Sequence, residues 1–164
     1  MEEISRIIQV NLMGQIHGMK AVLEQTGRQG QGTIINVASA LAERSVPLQA
    51  AYCATKHAIK GFTEALRLEL ESERIPIEVV LVMPSSIKTP PFRHARSKLG
   101  VKPMPIPPIY EPTVVADAIV QLAERPQPRV VVGGSGKWLV LGQRLSPELL
   151  DRYMTSGRRM VRQQ

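Results

Sequence analysis

Tyr52 and Lys56 stand four positions apart in "AAYCATKHAIKGF", residues 50–62, so a helix there brings a phenol and an ammonium onto one face. A phenol's ordinary pKa of about 10 makes it slow to give up its proton near neutrality. An opposite charge within a few ångströms favours the ionised form, so Lys56 is expected to draw the pKa of Tyr52 down. Such a pair can pass a proton to and from a carbonyl/alcohol couple. Ser39, thirteen residues before Tyr52, carries a hydroxyl that can hydrogen-bond a substrate oxygen as charge develops on it. Three tyrosines and seven lysines in 164 residues make a Tyr-x-x-x-Lys spacing easy to reach by chance, so its setting has to carry the reading.

The elements that must position these residues can be read from periodicity. Ile4, Ile7, Ile8, Leu12, Ile16, Met19 and Leu23 keep the three-and-four spacing of a helix face over residues 2–25. "TIINVAS" is a β-branched run short enough for a buried strand, and it ends near Ser39. A helix over 50–71 follows, then a second buried strand, "IEVVLVMP", at 77–84. Residues 84–112 hold eight of the thirteen prolines, which predicts a long functional loop, with room for a short helix over 92–99. "EPTVVADAIVQLAERP" reads as a helix bounded by prolines, "RVVVGG" as a third strand, and Ser146-Pro147-Glu148 as the start of a last helix. Alternating helices and strands predict an α/β fold with a parallel sheet, whose ligands bind outside the C-terminal strand ends. Ser39 and the start of the 50–71 helix would both face that crevice.

Composition excludes several classes. The apolar fraction of 43% rules out a disordered tail, and 164 residues suit one domain. No apolar run is long enough to span a membrane, and "MEEISRIIQV" lacks the basic start of a secretion signal, so a soluble cytoplasmic protein with no membrane partner is expected. The net charge of +7 is concentrated at the end: residues 129–164 carry seven Lys/Arg against two acids. No aromatic interleaves with "GRRMVRQQ", so this reads as a solvated basic tail, with no nucleic-acid partner expected. "TGRQGQG", residues 26–32, has the wrong context for a phosphate loop, because a helix precedes it and a strand follows; its glycines are expected to end the first helix. His17, His57 and His94 show no metal-ligand grouping, so no metal is expected. Cys53 reads as a packed thiol.

Taken together, Ser39, Tyr52 and Lys56, with "VNLMG" and "IINVAS" before them and "PSSIKTP" after, resemble the short-chain dehydrogenase/reductase family. The likeness runs from Asn11 through "RVVVGG". It implies a Rossmann-like doubly wound sheet and hydride transfer between NAD or NADP and an alcohol or ketone. By resemblance, Tyr52 is the acid/base, Lys56 lowers its pKa and holds the nicotinamide ribose, and Ser39 orients the substrate carbonyl. Asn11 matches the helix asparagine that supports a proton-relay water. Pro84, Ile87 (through its backbone) and Thr89 match the segment that contacts the nicotinamide amide, with Ser85 in place of the family's usual glycine. The stretch 90–110 matches the substrate loop, and Phe92, Leu99, Met104, Ile106 and Tyr110 suggest an apolar pocket.

The family's glycine-rich turn after the first strand, its selector residue and its Asn-Asn-Ala-Gly-like segment have no counterpart here. The chain is therefore expected to form the second half of a doubly wound domain, about three strands with flanking helices, followed by a C-terminal extension over 135–164. Weak cofactor binding and an unpaired strand edge are expected to follow. Helices 2–25 and 50–71 are expected to pair in a homo-oligomer, as the family's equivalents commonly do. The competing expectation is an inactive, truncated remnant that keeps only this helix-mediated association.

Overall fold

The structure, a computed structural model, describes residues 1–90 and 107–161, with side chains through Thr155. Helix α1 runs over residues 2–29 in three pieces: an α-helical Glu2–Ile7, a wider π-type turn at Ile8–Met13, and an α-helical Gly14–Gln29. It outlasts the predicted end at residue 25, running through Gly27 and stopping only at Gly30. Gly30 adopts left-handed backbone at φ 78, and its N–H reaches back to the Thr26 carbonyl at 3.0 Å. The predicted apolar face is only partly inward: Leu12, Met19 and Leu23 pack on the core, whereas Ile4 and Ile8 are exposed.

Strand β1 (Gly32–Val37), helix α2 (Ala50–Ser72), strand β2 (Ile77–Pro84), helix α3 (Pro112–Glu124) and strand β3 (Arg129–Val132) follow. The strands form one parallel sheet in the order β1-β2-β3, with Ile34 opposite Val79 and Val82 opposite Val130. This is the predicted three-stranded α/β arrangement, and β1 lies at an edge. The central strand shows why it is so apolar. Ile77, Val79, Leu81 and Met83 point toward α1 and α2, while Val80 and Val82 point toward Leu122 of α3. Both faces are covered, so every second residue cannot be polar.

One polar group crosses this core. Asn36 of β1 is buried, and its Nδ2 donates to Thr63 Oγ1 of α2 at 3.0 Å and to Met19 Sδ of α1 at 2.7 Å. A buried amide without partners would cost about 1–3 kcal/mol, so the pair of bonds fixes how α1 and α2 sit on β1. That register sets the position of Ser39, three residues on.

The C-terminal part is more helical than predicted. Helix α4 (Gly134–Leu145) precedes α5 (Pro147–Val161), and only the second has a local start signal. Gly134, Gly136 and Gly142 argue against a helix by propensity. Packing prevails: a Cβ on Gly136 would lie 3.0 Å from both Ser85 Cβ and Val131 Cγ1, so the glycine is what lets α4 approach the sheet. The expected helix over 92–99, together with Phe92, His94, Leu99, Met104 and Ile106, lies outside the described residues.

Candidate active site

The ladder of β1 ends with Ala38, whose N–H reaches the Val82 carbonyl at 2.8 Å. Ser39 follows in extended conformation and caps a short 3-10 turn at Ala40–Ala42, its Oγ accepting from the Leu41 N–H at 3.1 Å. Ser39 is buried, and its hydroxyl is held at the strand's C-terminal end. The chain then crosses to α2, where Tyr52 is the third helical residue. Ser39 lies near enough to the Tyr52 hydroxyl to lower its pKa in part. The Lys56 ammonium lies 5.6 Å from the centre of the Tyr52 ring and makes a long 3.4 Å bond to the Val37 carbonyl. The three residues meet at one place.

Their electrostatics differ from the expectation. Burial raises the pKa of Tyr52 above 10, outweighing the Ser39 side chain, which lowers it; nearby Cys53 adds a further rise. The Lys56 ammonium, over the ring, is not among the groups that set the phenol's shift. Its own pKa is lowered by burial. The resting phenol keeps its proton.

Asn11 sits inside the π-type turn of α1, half-buried, beside Leu12, which packs on Ala38 and Ile59. Widened turns of this kind rotate side chains off the regular helix face and occur often at functional sites. Among the described residues its side chain makes no hydrogen bond. Pro84 ends β2, and Ser85 continues the ladder with its N–H on the Val132 carbonyl at 2.9 Å, at negative φ, so the serine takes the path without strain. Ile87 is buried and pairs with Tyr110; Tyr110 N–H reaches Ser86 O, and Lys88 N–H reaches Tyr110 O, both at 2.9 Å. Thr89 makes only a weak 3.4 Å contact to the Ile87 carbonyl. Pro84, Ile87 and Thr89 thus lie at the C-terminal end of the strand beside β1.

Two features were not legible beforehand. Glu43 and Arg44, just past the Ser39 turn, tie it to the rest of the molecule. Glu43 pairs with Lys60 and Arg129 at 3.1 Å each, while Arg44 donates to Gln143 at 2.8 Å and pairs with Asp151. Arg129 and Asp151 are 86 and 107 residues away, beyond any local pattern. A cavity of about 430 Å³ lies beside Arg44, His57 and Asp151, without Ser39 or Tyr52 in its lining. Second, Gly133 and Gly134 form a glycine turn between β3 and α4, the context an anion loop needs. Its amides are already engaged: Tyr110 Oη accepts from Gly134 N–H at 2.8 Å and Ser135 N–H at 3.3 Å.

Comparison with known proteins agrees with this geometry. The family model described as short chain dehydrogenase matches residues 1–100. The chain belongs to that family. It is 37% identical over 155 residues to an uncharacterized oxidoreductase, YxnA, of Bacillus subtilis, covering 93% of this chain and 44% of that one. It is 34% identical over 163 residues to the putative oxidoreductase SadH of Mycobacterium tuberculosis, covering 95% and 59%. Among solved structures, a short chain dehydrogenase from Burkholderia cenocepacia in complex with NADP superposes with a TM-score of 0.73 at 26% identity, over 90% of this chain and 56% of that one. The chain therefore spans about half the length of the relatives it matches.

Proposed function

We propose that this chain carries the catalytic residues of an oxidoreductase that works between an alcohol and its carbonyl compound with NAD or NADP. The observation that supports this most is the meeting of Ser39, Tyr52 and Lys56 at the end of β1. A nicotinamide cofactor supplies or accepts the hydride when bound. The donor set fits its nicotinamide riboside end: among the described residues Lys56 has one long hydrogen bond, which leaves ammonium N–H groups for ribose hydroxyls. Tyr52 lies against the same ammonium, and Pro84, the Ile87 backbone and Thr89 stand at the neighbouring strand end. No residue of this chain is assigned to adenosine or pyrophosphate, so binding is expected to be weak.

The resting phenol suits carbonyl reduction. Tyr52, protonated, donates to the carbonyl oxygen while the Ser39 hydroxyl holds that oxygen in place. Lys56 positions ribose and ring, and Asn11 supports a water that returns a proton to the phenol. The apolar residues Phe92, Leu99, Met104, Ile106 and Tyr110 within 90–110 favour an apolar ketone or alcohol.

Assaying ketone reduction with NADH and with NADPH tests the reading, alongside calorimetric titration of each nucleotide. Tyr52→Phe is expected to cut turnover by at least about a hundredfold, with nucleotide binding little changed. Retained activity in that variant, or no nucleotide binding at any concentration, ends the proposal. A second reading, helix-mediated association without catalysis, is favoured by exposed Ile4, Val10 and Val22 on α1 and Phe62 and Leu68 on α2. Folding and self-association in a chain without nucleotide binding would select it.

A further inference from the structure

Helices α4 and α5 carry apolar residues on their outer side. Trp138 is 74% exposed, Leu145 76%, Leu149 65% and Tyr153 74%, with Leu141 also open. Their spacing is regular: 138, 141 and 145 make one stripe along α4, and 149 and 153 make one along α5. The inner sides are used differently. Gly136 and Val140 are buried, and Leu150 packs across Gly142. The helices are therefore seated on the domain with a second apolar side turned outward. Single exposed apolar residues are ordinary, but five at helical spacing on consecutive helices are not.

Charge decides what covers them. Residues 129–164 hold seven Lys/Arg against two acids, and one of those acids, Asp151, is already paired with Arg44. Lys137 and Arg144, seven positions apart and both exposed, edge the α4 stripe. A second copy seated symmetrically on this face would bring two such basic segments together, which like-charge repulsion opposes. Leucines separate the two aromatics, so there is no continuous stacking platform for bases. Tryptophan, tyrosine and leucine rimmed by lysine and arginine is the set that settles at the boundary of a bilayer with anionic headgroups. No described helix is long and apolar enough to cross a membrane, so contact would be at the surface.

We propose that the outer side of α4 and α5 is a docking surface for anionic lipid bilayers, independent of the chemistry at Tyr52. This departs from the expectation of a merely solvated tail without a membrane partner.

Trp138 is the chain's one tryptophan, which makes it a built-in probe. With vesicles of phosphatidylcholine and phosphatidylglycerol, its emission is expected to move to shorter wavelength and the protein to sediment with the lipid. Both effects should fade at high salt. Lys137→Gln/Arg144→Gln should weaken binding by about 25-fold, at about fivefold per charge lost. Leu145→Glu, at an exposed position, should abolish binding while circular dichroism stays unchanged. Emission unmoved by anionic vesicles, or equal binding to phosphatidylcholine alone, overturns the proposal. So does a shift that follows protein concentration without lipid, which marks a second copy, or one produced by an oligothymidylate and not by vesicles.

Discussion

The proton on Tyr52 couples the candidate site to the stability of the fold. Its folded pKa lies above the unfolded value of about 10, so the folded chain holds this proton more tightly. The contribution is complete below pH about 10 and is lost as pH rises through the higher folded value. Lys56 has the opposite sign. Its folded pKa is depressed, so its contribution is present above pH about 10.5 and is lost as pH falls through the folded value. Tyr52→Phe is therefore expected to show no alkaline decline from this group, and chemical denaturation from about pH 8 to about pH 11 measures it. Groups common to both proteins cancel in the difference. A wild-type and variant difference that stays flat across pH 10 would show that the phenol is not buried as described. Spacing together with its setting, a serine at the end of a predicted strand and a tyrosine and lysine at the start of the next helix, was enough to name Ser39, Tyr52 and Lys56 as one group. It gave the wrong direction for the tyrosine's pKa, because desolvation depends on packing that no spacing records.

At the scale of elements, strong periodicity and clear punctuation were enough for β2 and α2, whose observed limits fall within a residue of the expected ones. Helix α4 escaped notice, because Gly136 serves close packing against Ser85 and Val131, contacts about fifty residues away or set by the sheet. The π-type turn around Asn11 has no signature in the apolar pattern either. The end of α2 offers a direct test of local rules. Arg74 N–H bonds to Glu71 O at 3.1 Å and Ile75 N–H to Leu70 O at 2.9 Å, with Arg74 at φ 57, the left-handed position where glycine is favoured. Leu70 and Ile75 also share a hydrophobic cluster, so the whole capping arrangement is present with a costly residue at its centre. Arg74→Gly is expected to stabilise the chain by about 1 kcal/mol, read as a higher denaturation midpoint. An unchanged or lower midpoint would mean that the arginine side chain stabilises something else.

For the molecule as a whole, the sheet ends at β1, and α1 and α2 leave Ile4, Val10, Val22, Phe62 and Leu68 open. An edge strand and an apolar helix pair both favour self-association, by different surfaces. The chain is expected to elute from a sizing column as larger than a monomer. Val10→Glu, at a position 67% exposed, separates the two routes. Return to a monomer with unchanged circular dichroism assigns the association to the helices; no change removes this helix pair as the route. A sharp monomer peak for the unmodified chain would dismiss both.

Ser85 occupies room that exists because Gly133 and Gly136 have no side chains: a Cβ at 133 would fall on Ser85 Oγ and lie 2.9 Å from Tyr110 Cε2. Positions 85, 110 and 133 are thus bound to one another in any lineage that carries this chain. A methyl group gained at 133 would meet both side chains and a φ of 97 that residues with a Cβ rarely adopt, so one-step drift at that glycine is closed.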